Sequence, residues 1–100
     1  MLCALTVRKL KPGAFDEFVE KFTPEGENGP PAGWKAFRVL RGTQDENEVI
    51  TFGFFDGTLD EMSSSQDDHG YAERRAAIEP LVESVVVNGV YDVAKELIVS

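Results

Sequence analysis

Among these 100 residues, one side chain has an ordinary pKa suited to proton transfer near neutral pH. That is His69, the only histidine, whose unperturbed imidazole titrates at about 6.5. It stands in "SSSQDDHGY", after Asp67 and Asp68 and two residues before Tyr71. The two carboxylates would favour its charged form if they lie close. His69 and Tyr71 are the candidate catalytic residues, able to move a proton on a bound substrate. Elsewhere the chain offers groups that could hold a planar molecule. Trp34, Phe52 and Phe54 supply aromatic surface, and Arg38 and Arg74 supply positive charge. Each has a plainer reading. Trp34 could plug one end of the core, as large aromatics do in small domains. His69 could be a solvated loop residue among its acids. Tyr71 could be a half-buried helix residue. Arg38, beside Ala36 and Leu40 on one strand face, needs a partner if it is buried. That partner could be an acid from a second subunit or an anionic ligand.

Other chemistries are poorly supplied. Cys3 is the only cysteine, so no internal disulfide and no cysteine metal site can form. With Leu2, Ala4 and Leu5 around it, it reads as a small core residue. No metal and no cofactor is implied. The net charge is −8, which disfavours a polyanion. Lys35, Arg38 and Arg41 do not rescue that case, because Arg38 points opposite to the other two in an extended strand. Nucleic acid is therefore not an expected partner. Asp45-Glu46 and Asp67-Asp68 are loop charges rather than paired catalytic carboxylates. There is no G-x-S-x-G, no phosphate-cradling glycine loop and no C-x-x-C. No apolar run approaches the roughly 18 residues of a membrane span. In "MLCALTVRKL" the charges follow the apolar part, the wrong order for an export signal. A membrane is not expected, and the cytoplasm is.

The elements that must position these residues follow from periodicity. "LCALTVR" reads as a strand, with Cys3, Leu5 and Val7 on one face and Leu2, Ala4, Thr6 and Arg8 on the other. Pro12 ends it. Phe15, Phe18, Val19 and Phe22 then make the apolar stripe of a helix. "TPEGENGPPAG", residues 23–33, is a loop that could act as a lid. "WKAFRVLR" and "VITFGFF" are two strands of an antiparallel hairpin joined by "GTQDENE". "TLDE" is a capping box starting a helix at Thr58, with Leu59 and Met62 facing inward. A break is expected near Gln66 to Gly70, then a second helical segment from about Tyr71 to Ser84, kinked or restarted at Pro80. A last strand from about Val87 to Leu97 carries a bulge at Asn88-Gly89.

The order β-α-β-β-α-β predicts one α+β domain over residues 1–100, a ferredoxin-like sandwich with both helices on one face of a four-stranded sheet. The third strand is apolar on both faces. Ile50, Phe52 and Phe54 lie on one, and Val49, Thr51, Gly53 and Phe55 on the other. The helices can cover only one of them. A second copy is the expected cover, with Val49 and Phe55 placed toward it and two sheets stacked into a barrel. Replacing Phe55 by Asp is then expected to weaken association.

"LTVRKLKPGAFDEFVEKF", "ITFGFFDGTLDEM" and "RAAIEPLVES…VYDVAKEL" resemble successive segments of the antibiotic-biosynthesis-monooxygenase-like family, the dimeric α+β barrels. The resemblance spans nearly the whole chain and is one of elements and apolar positions. It implies a homodimer with a pocket between sheet and helices. It also implies varied functions: oxidation of polycyclic aromatics by dioxygen without metal or flavin, haem degradation, or no assigned activity. The haem-degrading pattern of Asn, Trp and His is not met. Thr6 stands at the first position, Phe54-Phe55 end the third strand, and His69 falls in the helix break.

Two functions stay open. One is a cofactor-independent monooxygenase acting on a planar aromatic substrate. The other is a non-catalytic dimer that binds a small apolar or aromatic ligand or serves as a structural partner. A well-formed pocket holding His69 or Tyr71 favours the first. A sheet–helix space filled by Phe15, Phe52 and Phe54 favours the second.

Overall fold

Alternating residues of four strands, and one stripe from each of the first two helices, set the architecture. The computed structural model describes residues 1–22, 33–68 and 71–97, with the side chains of 66–68, 71 and 72 outside the description. The elements run β1 (Leu2–Leu10), α1 (Phe15–Phe22), β2 (Trp34–Arg41), β3 (Glu48–Phe55), α2 (Leu59–Asp68), α3 (Tyr71–Ile78), a 3₁₀ turn (Glu79–Leu81) and β4 (Val82–Asp92). All neighbouring strands are antiparallel, in the order β2-β3-β1-β4. This is a ferredoxin-like α+β fold. The second helical region is two helices, but α2 runs on to Asp68, so Gln66 to Asp68, expected within the break, are helical, and residues 69 and 70 lie outside the described residues. No helix among the described residues is long and apolar enough to cross a membrane.

Local chemistry explains several boundaries. The backbone N–H of Thr58 donates to Glu61 Oε1 at 3.1 Å, and that of Glu61 donates to Thr58 Oγ1 at 3.2 Å. These reciprocal bonds are the expected capping box at the start of α2. Thr58→Ala should cost about 1 kcal/mol of stability, read as a shifted denaturant midpoint at unchanged slope. Leu59 is an exception to the expected inward face. It is 61% exposed, while Met62 is buried. Leu59 opens the helix one turn before Met62, just after the chain leaves β3. Pro80 sits in the 3₁₀ turn, where its missing N–H costs least. The helix therefore stops at Ile78, short of the expected Ser84, and the sequence from Val82 joins the sheet.

β4 begins earlier than expected, and its irregularities lie elsewhere. Val7 pairs with Val87 but Arg8 with Val85, so Val86 is the extra residue; Glu83 is a second one, between Ser84 and Val82. Asn88 and Gly89 pair regularly with Thr6 and Leu5. Gly89 serves close packing instead of a bulge. A Cβ there would lie 3.0 Å from the Tyr91 hydroxyl.

The core lies on the helix side of the sheet in two clusters. Leu10, Ala14, Phe18, Val49 and Ile78 form the first, with Phe15, Val19 and Phe22 packed against it. Leu2, Phe55 and Met62 form the second, with Ala4 and Trp34 beside them. The α1 stripe is thus as its spacing predicts. Along β3 the burial alternates: Val49, Thr51, Gly53 and Phe55 are buried, and Ile50, Phe52 and Phe54 are half-buried. Two faces were expected, and one of them has no helix over it among the described residues, but the assignment is reversed. Val49 and Phe55, at 0% and 3% exposure, lie beneath the helices rather than toward a second copy. The uncovered face carries Cys3, Leu5 and Val7 of β1, Ile50, Phe52 and Phe54 of β3, Ala36, Arg38 and Leu40 of β2, and Val87 and Tyr91 of β4.

Candidate functional site

Between the two clusters the helix face of the sheet turns polar. On β1 the residues of that face read Leu2, Ala4, Thr6, Arg8, Leu10, so two polar side chains sit between buried leucines. Across the ladders, Arg8 is opposite Val49 on β3 and Val85 on β4, and Thr6 is opposite Thr51 and Asn88. Arg8 Nη1 donates to Thr51 Oγ1 at 2.8 Å, and Thr51 is buried. The same guanidinium lies 5.6 and 5.8 Å from the ring centroids of Phe18 and Phe22. Those rings are near-parallel, 5.5 Å apart. Thr6 Oγ1 donates to Asn88 Oδ1 at 3.3 Å.

One wall of this region is aromatic. The Trp34 ring stacks on Phe37 at 5.0 Å and meets Phe55 edge-on at 5.1 Å. Its Nε1 donates to Ser65 Oγ of α2 at 3.2 Å. Two glycines make room for these rings. A Cβ at Gly53 would lie 2.9 Å from both Trp34 and Phe37, and one at Gly33, where φ is +94°, would collide with Phe55. On the β4 side, Val85, Asn88 and Val90 keep much of their surface exposed on this same face. The region sets aromatic surface beside polar side chains, the residue types that line small-molecule sites.

The residues singled out from sequence do not all converge here. Trp34 does. Arg38, Phe52 and Phe54 lie on the opposite, uncovered face, so within one chain they cannot line the same pocket as Trp34. Alternation along β2 and β3 is the reason: Arg38 pairs with Phe52, and Ala36 with Phe54. The sheet–helix space is filled by Phe15, Phe18, Phe22 and Phe55, not by Phe52 and Phe54. Phe52 and Phe54 meet each other edge-to-face at 5.6 Å. Arg38 is exposed and donates to the Phe37 carbonyl at 3.3 Å, so its charge needs no buried partner in the single chain. Arg74 is half-buried on α3. His69, the side chain of Tyr71 and the loop at 23–32 lie outside the described residues.

Sequence reasoning missed Arg8, Thr51 and Asn88. A signal for the first was present: a cation on a strand face bounded by Leu2 and Leu10. Cys3 is half-buried on the uncovered face instead of in the core, and partial burial pushes its thiol pKa up, away from a reactive thiolate. The other perturbed groups among the described residues, Lys9 and Asp45, pair with each other, and Lys9 lies on the opposite face of β1 from Arg8. Asp45 is held below its ordinary pKa by the Asn47 backbone N–H first and by Lys9 second, and Lys9 is raised by the same pair. Among the described residues no group of three or more His, Cys, Asp and Glu side chains could hold a metal ion.

No family model matches this sequence, and no curated protein matches it. Solved structures do match in fold. An antibiotic-biosynthesis-monooxygenase candidate from Chloroflexus aurantiacus superposes with a TM-score of 0.79 at 11% identity, over 99% of this chain and 98% of that one. Rv0793 from Mycobacterium tuberculosis gives 0.74 at 12% identity, over 95% and 96% of the two chains. SnoaB from Streptomyces nogalater, a cofactor-independent oxygenase, gives 0.68 at 13% identity, over 96% and 95%. The chain has the fold of the antibiotic-biosynthesis-monooxygenase-like proteins, over its whole length.

Proposed function

We propose that this chain is a small-molecule-binding protein of the cytoplasm, working as a homodimer, and that its activity is cofactor-independent oxygenation of a planar aromatic compound. The observation that carries the reading is the helix-side region just described. A polar set of Thr6, Arg8, Thr51 and Asn88 interrupts an otherwise apolar layer beside the Trp34–Phe37 stack. The fold shared with SnoaB supports the oxygenase reading, and the fold alone does not decide it. His69 and Tyr71 are the proposed proton-moving residues, with Trp34 and Arg74 on the ligand. Arg38, Phe52 and Phe54 reach a ligand only if the partner subunit brings its own site near them.

The test is oxygen consumption by metal-free protein with a panel of anthrones, hydroquinones and naphthols. Turnover with at least one compound is expected. His69→Ala should then lower it by about 10²–10⁴-fold while the dimer persists. Binding without turnover would move the reading to a ligand-binding dimer. Neither binding nor turnover would leave a structural dimer.

A further inference from the structure

We propose that α2 is the movable wall of the helix-side region, and that Ser65 latches it closed on Trp34. The admission of a ligand rests on the reading of that region as a small-molecule site, and the motion itself does not.

Two helices on the same face of the sheet are held to it very differently. α1 puts Phe18 wholly out of solvent, with Phe15, Val19 and Phe22 half-buried beside it. In α2, Leu59, Asp60, Glu61, Ser63 and Ser64 are all exposed. From residue 59 to residue 65 only Met62 is buried and only Ser65 is half-buried. The run Ser63-Ser64-Ser65 is also a poor helix former, because serine hydroxyls compete for backbone hydrogen bonds. Two attachments therefore carry these residues. One is the Met62 side chain, clustered with Leu2 and Phe55. The other is Ser65 Oγ, which accepts from Trp34 Nε1 at 3.2 Å. Both release at low cost. Met62 is unbranched and adapts to altered surroundings. The indole N–H that loses Ser65 meets water once the helix has lifted, so no buried donor is left unpaired.

The near end of α2 is built to turn. Asp56, Gly57 and Thr58 join it to β3. The Asp56 N–H donates to the Gly33 carbonyl at 2.9 Å and stays with the sheet. The reciprocal bonds of Thr58 and Glu61 close within the first turn and travel with the helix. Gly57 lies between the fixed part and the moving part, against the Phe55 ring, where a Cβ would overlap it. A residue without a side chain at that point lets the backbone angles change. Lifting α2 uncovers Leu2, Phe55 and the Nε1 edge of Trp34. A planar ligand enters there, against the Trp34–Phe37 stack, and α2 closes behind it.

Amide hydrogen exchange of the full chain, followed residue by residue, tests this. The Met62 N–H is bonded to Thr58 O and the Phe18 N–H to Ala14 O, both at 2.9 Å, so the two amides start from like bonds. Those of Met62 to Ser65 should exchange about tenfold to a thousandfold faster than that of Phe18, through an opening that leaves α1 and β1 protected. Ser65→Ala should speed exchange in α2 by about threefold to tenfold, the loss of one hydrogen bond, and leave α1 unchanged. A general loss of stability would instead speed the slowest amides of both. Leu59→Ala, at an exposed position, should change neither by more than about twofold. 2-Naphthol at ten times its Kd should slow exchange in α2 by about tenfold. Exchange in α2 no faster than at Phe18, or unchanged by Ser65→Ala, would overturn the motion. Binding of 2-naphthol without slowing would overturn α2 as the wall. Failure of 2-naphthol to bind would count against the small-molecule reading, and exchange in the free chain would still decide the motion.

Discussion

Phe55→Asp is expected to yield an unfolded chain, not a folded subunit released from a dimer. Phe55 is 3% exposed and joins Leu2 and Met62 at one end of the helix-side core. Trp34 meets its ring edge-on, and Gly33 and Gly57 both lie so close that a Cβ on either would overlap it. Removing such a ring alone costs about 3–5 kcal/mol. The substitution also places a carboxylate where no cation is described, and that adds the penalty of an unpaired buried charge. The sum reaches the whole stability of an ordinary domain, about 5–15 kcal/mol. Circular dichroism should show loss of secondary structure, and the protein should collect in the insoluble fraction. A soluble variant with the native spectrum and half the native mass would restore Phe55 to an intersubunit face.

That substitution separates what the sequence shows from what it hides. Two faces of "VITFGFF" are legible because strand side chains alternate, whatever the environment. Which face meets the helices is decided by register, and register is set by partners. A one-residue difference in pairing exchanges the faces. The clue was on β1, where Leu2 and Leu10 end the same face as Thr6 and Arg8. An arginine in that row argues for solvent until the aromatic faces of α1 are placed over it. Phe18 and Phe22 were legible as core, and their second use, holding a guanidinium, was not. The capping box at Thr58 and the division of the second helical region into two helices were legible for the opposite reason. Both are local chemistry, complete within a few residues. The bulges of β4 were not. Three consecutive valines give no alternation to read, and the extra residue at Val86 is placed only by its pairing with β1. The same reasoning explains the scattered site residues. Composition picks out aromatics and cations, and strand alternation then sends Trp34 to one side of the sheet and Arg38, Phe52 and Phe54 to the other.

Phe52→Asp should separate the subunits and leave each one folded. The uncovered face of the sheet presents Leu5, Val7, Ile50, Phe52 and Phe54 at its centre, all half-buried in the single chain, with Val87, Tyr91 and Leu40 exposed around them. A contiguous apolar surface of this kind marks an interaction site. A second copy fits it best, because a two-fold axis brings the same patch onto itself and covers both at once. Phe52 pairs with Leu5 on β1 and with Arg38 on β2, near the middle of the patch, where interface energies concentrate. Loss of a central aromatic costs about 2 kcal/mol or more per subunit, and symmetry counts it twice, for about a thousandfold weaker association. Helix-side packing is untouched, since Phe52 belongs to neither core cluster. Sedimentation of the natural chain at micromolar concentration should give about twice 11.0 kDa, and the variant should give the mass of one chain with an unchanged far-ultraviolet spectrum. The Cys3 thiol, half-buried on the same face, provides an independent reading. It should react slowly with a thiol reagent in the proposed dimer and quickly in the variant. A natural chain that sediments as a monomer would leave this face without a partner of its own kind and would remove the dimer from the proposed function.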